Sequence, residues 1–345
     1  YKFRYVFYLV LLLFPLVNHA QYTDQINSNR PGETMSAFAV GKSVIQLETG
    51  AYGIAQKHHL LNYVANGFGI DATIRYGVFK EKLELIADLQ YQSQMYEARF
   101  TKIDQKALKQ TIIGAKYLLY DPFKSQEKKI NVYSWKVDKS FKWKQLIPAV
   151  SVFAGANITS ANNPYHFSPN ASISPKVILI TQNHFGDGSW VFVTNTIADY
   201  IGSEFPSYSY AVTLTKGINK NWSGFIENQG YKSDFYSDLI VRSGAAFLVN
   251  DDLQLDISGS ANLKDTPAIF YGGIGLSWRY DGNYKEVRTP IEEDPNILKA
   301  QKKAEKEQDK LEKEQKKIEE DEKRVEKEKE KIKDAEEDIE KYNGK

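Results

Sequence analysis

The sequence contains no cysteine and only five histidines among 345 residues. Without cysteine the chain has no disulfide, no thiol nucleophile and no thiolate metal site. The histidines also lack the spacing of convergent metal ligands. We therefore expect no cofactor and no metal site, and we expect that the protein is not an enzyme.

A large net charge and a long apolar run are absent as well. The formal charge is +1, so the sequence does not indicate a polyanionic partner and we expect no binding of nucleic acid. The apolar stretch 6–17 is shorter than the ~20 residues of a membrane-spanning helix. Because it follows Lys2 and Arg4 and precedes the small residue Ala20, residues 1–20 are predicted to be a signal peptide. An uncleaved anchor helix is the alternative.

What the chain does contain is aromatic side chains, with 22 Tyr and 18 Phe, and segments in which apolar and polar residues alternate. Residues 253–262 are the clearest case, with Leu253, Leu255 and Ile257 on one face and polar residues between them. This period of two predicts β-strands, and it recurs in twelve segments. The predicted strands are 42–54, 66–78, 81–93, 107–120, 146–158, 172–183, 188–201, 206–217, 220–231, 236–249, 252–263 and 267–280.

The last of these segments has the pattern of a membrane strand. One face is apolar and the other is small or charged, including Ser277 and Arg279. The apolar face comprises Phe270, Ile274, Leu276, Trp278 and Tyr280. The spacing of Gly275, Trp278 and Tyr280 resembles the closing-strand signal that the barrel-assembly machinery of bacterial outer membranes recognises during insertion. An edge strand of a soluble sandwich is the alternative for this segment alone.

Three features favour a membrane barrel over a soluble sandwich. Connections after even-numbered strands are mostly tight, and those after odd-numbered strands are longer, such as 94–106 and 159–171; 121–145 is an exception. Aromatic residues lie near strand ends, and closure alone removes exposed strand edges. We therefore predict an all-β, antiparallel, up-and-down β-barrel of about twelve strands over 42–280, in contact with the lipid of a Gram-negative outer membrane.

Charged residues of both signs then face the lumen. Five of them lie on strands that become neighbours on closure, near the periplasmic end, and are predicted to form one ion-pair network: Glu48, Arg75, Glu84, Lys116 and Arg279. The other lumen-facing charges are Asp71, Asp88, Lys176, Glu227, Arg242 and Asp256. Such a network either fills the barrel or forms a constriction that sets permeability. The sequence leaves both interpretations open.

The segment before the first strand, 21–41, is polar and rich in turn residues. It lies on the periplasmic side, and we predict that Asn29, Arg30 and Glu33 enter the mouth of the barrel and partly plug it. A flexible lead-in is the alternative.

The end of the chain differs in composition from the barrel. After a linker, 281–295, alternating Lys and Glu over 296–342 predict a charged helix in the periplasm. Apolar residues recur every seven positions from Ile297 to Ile339, but the second seam position is mostly polar. This favours a solitary helix or a weak, partner-dependent coiled coil over a stable homodimer. Peptidoglycan or an envelope protein is the expected partner.

Short motifs in a fixed order resemble a known family. They are Arg30-Pro31-Gly32, Gln46-Leu47-Glu48-Thr49-Gly50 and Arg75-Tyr76-Gly77. The family is that of outer-membrane transport proteins named for the meta-cleavage pathway of phenol degradation, and the resemblance covers about 25–280. It implies a barrel that gives passive passage to small solutes, including apolar ones. A structural or docking subunit of an envelope complex, with the helix as its arm, is the alternative function.

Overall fold

The structure is a computed structural model that describes residues 26–123, 143–160, 162–166, 172–186 and 188–282. It contains twelve β-strands and a short 3₁₀-helix, Trp143–Leu146. Within these ranges, no helix has both the length and the apolar character needed to span a membrane. The strands are β1 Ile45–His58, β2 Tyr63–Gly77, β3 Leu83–Ala98, β4 Thr101–Tyr120, β5 Ala149–Ile158, β6 Ile173–Phe185, β7 Trp190–Asp199, β8 Ser207–Gly217, β9 Trp222–Lys232, β10 Ser237–Asn250, β11 Leu253–Asn262 and β12 Ala268–Tyr280.

The strands form one closed antiparallel barrel. Each strand pairs with its neighbours in the chain, and β1 pairs with β12 in a register that places Ile45 opposite Tyr280 and Lys57 opposite Ala268. Each of these twelve strands has two hydrogen-bonded neighbours, so the sheet has no edge strand, which is the condition for a sheet inside a bilayer. The predicted twelve-stranded antiparallel barrel is therefore confirmed, including the pairing of its first and last strands.

Apolar side chains cover the outside of the barrel, and polar side chains face inward. On β12, Ile274 and Trp278 are exposed, whereas Ser277 and Arg279 are buried. A soluble protein would place its apolar face inward, so this inversion indicates that the outer surface is solvated by lipid. Because side chains alternate along each strand, the same residues that expose apolar groups to lipid direct their neighbours into the lumen.

Aromatic side chains lie at the strand ends on this outer surface. Trp190 and Trp222 begin β7 and β9, and Trp278 and Tyr280 lie at the end of β12. These four residues share the end of the barrel at which β1 begins and β12 ends, which we call the terminal end. Tyr208 lies near the opposite end, at the start of β8. Aromatic belts of this kind mark the two interfaces of a membrane.

The β3–β4 hairpin corrects one of the predictions. A long outer loop was expected over 94–106, but β3 continues to Ala98 and β4 begins at Thr101. The apolar alternation stops in this region because the hairpin is held by polar cross-strand pairs instead. Lys102 forms an ion pair with Glu97, and the Nε2 of Gln94 donates to the Oε1 of Gln105 at 2.8 Å.

The start of β1 also differs from the prediction, at Ile45 rather than at residue 42. The backbone turns at Gly41 and Ser43, which have positive φ values of 97° and 64°, and this conformation interrupts an extended strand. The predicted signal peptide, 1–20, and the charged helix, 296–342, lie outside the described residues.

The closing-strand hypothesis predicts an assembly defect. Replacing Trp278 and Tyr280 together with Ser removes two interfacial aromatic side chains from β12 without changing its lumen face. We expect a lower amount of folded barrel in the membrane, measured as the heat-modifiable band in gel electrophoresis. Leu60→Ser, in the turn after β1, is the matched control because it removes an exposed apolar group outside any strand. Equal amounts of folded barrel in both variants would contradict the hypothesis.

Candidate functional site

The residues before β1 lie inside the barrel. We call Ile26–Val44 the N-terminal segment. It crosses the lumen near the terminal end, and every strand of the barrel contributes a polar side chain that contacts it. In strand order from β1 to β12 these side chains are Glu48, Asp71, Glu84, Lys116, Ser151, Gln182, Asn195, Thr213, Glu227, Arg242, Asp256 and Ser277.

Four of the five residues predicted to form a charge network are linked by direct ion pairs. The guanidinium of Arg75 lies 3.0 Å from Oε1 of Glu48 and 3.2 Å from Oε2 of Glu84. The Nζ of Lys116 lies 2.7 Å from Oε1 of Glu84. All four side chains are at most 2% exposed, so each charge depends on its partners rather than on water. They come from β1, β2, β3 and β4, whose lumen-facing positions are adjacent around the wall.

The same network binds the backbone of the N-terminal segment. Lys116 Nζ donates to the carbonyl oxygens of Ser36 and Phe38, at 2.6 and 2.9 Å. Arg75 Nη1 donates to the carbonyl oxygen of Asn27 at 2.8 Å. Two carboxylates do not use all the donors of a guanidinium and an ammonium group. The segment therefore supplies acceptors that the barrel wall lacks.

Arg279 is the member of the predicted network that lies apart from it. Its guanidinium pairs with Asp252 at 2.8 Å and with Asp281 at 3.5 Å. Arg279 is the second-last residue of β12, opposite Gln46 in the β1 register. It therefore lies nearer to the mouth of the barrel than Glu48 does, and the aspartates around the mouth are its partners.

Arg30 anchors the middle of the segment. Its guanidinium forms ion pairs with Asp71 of β2 and with Asp256 of β11, the latter at 3.2 Å. Between these strands, Gly50 of β1 and Gly275 of β12 are direct register partners. A Cβ at either glycine would overlap the Arg30 guanidinium. The Arg30 guanidinium therefore packs against the backbone of two glycines at the β1–β12 pair that closes the barrel.

The two other residues predicted to enter the mouth are also held by the lumen wall. The backbone N–H of Asn29 donates to both carboxylate oxygens of Glu48, at 3.3 and 3.2 Å. The backbone N–H of Glu33 donates to Glu227 Oε2 at 2.9 Å, and the Glu33 carboxylate lies 3.4 Å from the guanidinium of Arg242. Arg242 in turn pairs with Glu227.

Neutral polar residues of the wall were not identified from the sequence. Gln182 Oε1 accepts from the Ser36 hydroxyl and the Ala37 N–H, at 3.0 and 2.9 Å. Asn195 Oδ1 accepts from the Met35 N–H at 2.6 Å, and Ser151 donates to the Ala37 carbonyl at 2.5 Å. These residues could have been identified because they are amide and hydroxyl residues at the alternating strand positions that face the lumen.

An apolar anchor within the polar segment was not predicted from the sequence either. Ala37 is fully buried in a cluster with Ile86, Phe153 and Ile180 from the inner wall of the barrel, and Phe38 packs beside it. The run Met35-Ser36-Ala37-Phe38 was included in the polar lead-in. Its apolar residues could have indicated a packed segment, because a solvated lead-in has no need of them.

The remaining predicted charges face the lumen and have local partners. Lys176 pairs with Asp199 at 3.1 Å. Asp88 accepts hydrogen bonds from Thr73 and from Gln110, at 3.1 and 2.7 Å. In the part of the chain that the structure describes, His, Asp and Glu form no group of three or more that could hold a metal ion.

The sequence matches the family model described as "Putative MetA-pathway of phenol degradation" over residues 28–280. This range begins within the N-terminal segment and ends at the last residue of β12. It thus includes both the barrel and most of the segment inside it. The resemblance based on the Arg30-Pro31-Gly32 motif and the motifs that follow it is confirmed.

Several solved structures are similar to the chain at low sequence identity. An outer-membrane channel from Pseudomonas putida F1 has a TM-score of 0.44 and 9% identity, covering 73% of this chain and 100% of that one. The translocator domain of the autotransporter NalP from Neisseria meningitidis has a TM-score of 0.42 and 8% identity, covering 70% and 89%. The CymD monoaromatic hydrocarbon channel has a TM-score of 0.38 and 10% identity, covering 69% and 88%. No curated protein matches the sequence.

The buried network predicts a large effect of removing its shared carboxylate. Glu84→Gln leaves Lys116 without its carboxylate and Arg75 with only one, inside a site closed to water. We expect the free energy of unfolding to fall by about 3–5 kcal/mol, measured by urea titration of the refolded barrel. Glu97→Gln, which breaks an exposed ion pair with Lys102, is the control and should change it by less than about 1 kcal/mol. Similar values for the two variants would show that the buried network is not important for stability.

Proposed function

The chain belongs to the family described as "Putative MetA-pathway of phenol degradation", and on this basis we propose that it is an outer-membrane channel for small solutes, closed by its N-terminal segment. The observation that carries the proposal is the set of contacts between this segment and all twelve strands. A segment bound to the whole circumference of a closed barrel obstructs its lumen. The terminal end faces the periplasm, because both ends of the chain lie on the periplasmic side in outer-membrane barrels with an even number of strands.

Polar contacts make the segment suitable as a removable plug. Most of its anchors are hydrogen bonds and ion pairs, which water can replace at a net cost of about 0.5–1.5 kcal/mol for a neutral hydrogen bond and about 1.5–3 kcal/mol for one to a charged group. The apolar contacts are concentrated at Ala37 and Phe38, on the β3–β7 side. The part around Arg30, on the opposite side, can therefore leave the wall while Ala37 and Phe38 stay packed.

Arg30 is the central fastening of the plug in this proposal. It bonds to Asp71 and Asp256, which stand on opposite sides of the Gly50–Gly275 pair. Any side chain at Gly50 would displace the guanidinium from this position. The absence of a side chain at Gly50 therefore leaves the space that Arg30 of the plug occupies.

The charges that line the lumen determine which solutes can pass through the channel. Cations and anions are interspersed around the wall, and most of them form ion pairs with each other. Such a balanced lining gives no strong preference for ions of one sign. Small neutral and singly charged solutes are the class that this lumen accepts once the segment has moved.

The plug is tested by single-channel conductance in planar bilayers. Deleting 26–38 removes the part of the segment that includes Arg30, Glu33, Ala37 and Phe38 without touching β1, and we expect wild-type protein to be almost closed and the deletion variant to be open. An equal, low conductance in both would show that the segment does not close the channel.

A single substitution tests the fastening itself. Gly50→Ala should displace Arg30 and increase the open fraction by about ten- to a hundredfold, which corresponds to the loss of one charged hydrogen-bonded contact. Gly53→Ala on the same strand is the matched control, since its Cβ would meet only the Gly272 carbonyl oxygen at 4.0 Å. An open fraction that rises equally in both variants would count against a specific role for Arg30.

The charged segment 296–342 supports a second proposal, that the protein also binds a partner in the periplasm. Its one apolar residue in seven suits a weak helical pairing with another protein better than a stable homodimer. Full-length protein and a chain ending at residue 292 should then show equal solute uptake, while only the full-length protein retains a cross-linked envelope partner or sediments with peptidoglycan. Identical cross-linking and sedimentation of the two chains would exclude the docking role.

A further inference from the structure

A β-bulge directs one lysine into the lumen on the outer side of the N-terminal segment. In the β3–β4 pairing, Gln90 is opposite Gln110 and Tyr91 is opposite Leu108, so Lys109 is the extra residue. A bulge changes the direction of a side chain that would otherwise follow the alternation. The Nδ2 of Asn163, from the outer loop between β5 and β6, donates to the Leu108 carbonyl at 2.5 Å and holds the bulge in place.

The side chain of Lys109 reaches across the lumen to β12. Its Nζ lies 5.7 Å from the centre of the Tyr271 ring, in a cation–π contact. Tyr271 belongs to β12, and the strands β1, β2 and β3 lie between it and β4 in the sheet. The contact therefore runs across the lumen rather than along the wall, and any solute that enters from outside meets this pair before it meets the plug.

Lys109 differs from the other lumen cations in having no carboxylate partner among the described residues. Arg30, Arg75, Lys116, Lys176, Arg242 and Arg279 each form at least one ion pair. The charges that act on Lys109 are those of Glu33 and Arg242, and these two are paired with each other at 3.4 Å. A cation in a narrow lumen is costly unless an anion or water accompanies it.

Aromatic surface lies next to this ammonium group. The rings of Tyr52 and Tyr271 are 6.0 Å apart between centroids and meet at 64°. The Tyr52 hydroxyl donates to Gln92 Oε1 at 3.1 Å, which fixes the ring on the lumen side. A cation over one ring face, with a second ring packed at an angle against the first, can recognise a compact molecule with one anionic end and a flat apolar body.

We propose that Lys109, Tyr52 and Tyr271 form a binding site for a small organic monocarboxylate in the outer half of the lumen. The carboxylate pairs with Lys109, and the apolar part of the solute lies against the two tyrosine rings. This inference rests on the proposed channel function, and it names one class of solute that the channel takes up.

The surrounding carboxylates restrict the solute to one negative charge. The carboxylate of Glu33 acts electrostatically on Lys109, and Asp71 is opposite Gly50, two residues before Tyr52 on β1. Both already have arginine partners, Arg242 and Arg30. A second carboxylate on the solute would meet these groups without a free cation to receive it, so dicarboxylates are disfavoured by repulsion.

The site is tested by calorimetric titration of the full-length barrel in detergent with benzoate, benzamide and phthalate. We expect saturable binding of benzoate, and binding at least about tenfold weaker for neutral benzamide and for the dianion phthalate, because each lacks the single matched charge. This comparison uses wild-type protein and does not depend on the folding of a variant. Equal binding of benzoate and benzamide would overturn the proposal, as would no saturable binding of benzoate.

A pair of lysine variants locates the site. Lys109→Met should weaken benzoate binding at least about tenfold. Lys106→Met on the same strand removes an equal charge from an exposed side chain paired with Asp104, and it should bind benzoate as wild type does. An equal loss in both variants would show that the effect is not specific to Lys109.

The channel and the binding site can fail separately. Influx of a neutral sugar into liposomes through the variant that lacks 26–38 tests the channel alone. Influx without benzoate binding would refute the site and leave the channel, whereas benzoate binding without influx would refute the channel and leave the site.

Discussion

Neutralising charge inside a narrow, water-poor lumen is the constraint on which the rest of this structure depends. Arg75, Glu84 and Lys116 are completely buried, and breaking such a group of charges is far more costly than breaking a surface pair. The two carboxylates of the network leave donors of the arginine and the lysine unused, and carbonyl oxygens of the N-terminal segment accept from them. The segment thereby completes the hydrogen bonding of the wall, so it is part of the folded barrel as well as an obstruction of the lumen.

The segment meets two different surfaces inside one barrel. On the β3–β7 side the inner wall is partly apolar, and Ala37 and Phe38 pack against it. On the other side the wall is ionic and binds Arg30 and Glu33. Apolar contacts fix a position with little directional demand, whereas ion pairs require defined geometry. The combination accounts for a segment that is both firmly placed and dependent on a few polar fastenings.

Much of the fold could be predicted from the sequence, because lipid outside and polar groups inside impose strict alternation on each strand. The number of strands, the pairing of β1 with β12 and the lumen positions of residues such as Glu48 and Arg75 all follow from that alternation. The ends of β3 and β4 could not be predicted in the same way, because charged residues such as Lys102 replace the apolar outward-facing residues there. The sequence also did not predict that Arg279 lies apart from Glu84, because this depends on the position of each residue along the barrel axis and on the nearby Asp252. The bulge at Lys109 depends on register, which alternation alone does not determine.

The seat of Arg30 has a consequence for the order of assembly. Gly50 and Asp71 come from the first two strands of the barrel, whereas Asp256 and Gly275 come from the last two. These four residues come together only when β1 pairs with β12, the contact that joins the two ends of the sheet. An unclosed sheet, however complete its other pairings, contains two half-sites for the arginine. The seating of Arg30 therefore requires that β1 and β12 have paired, and in a barrel that stalls before closure Arg30 lacks half of its site.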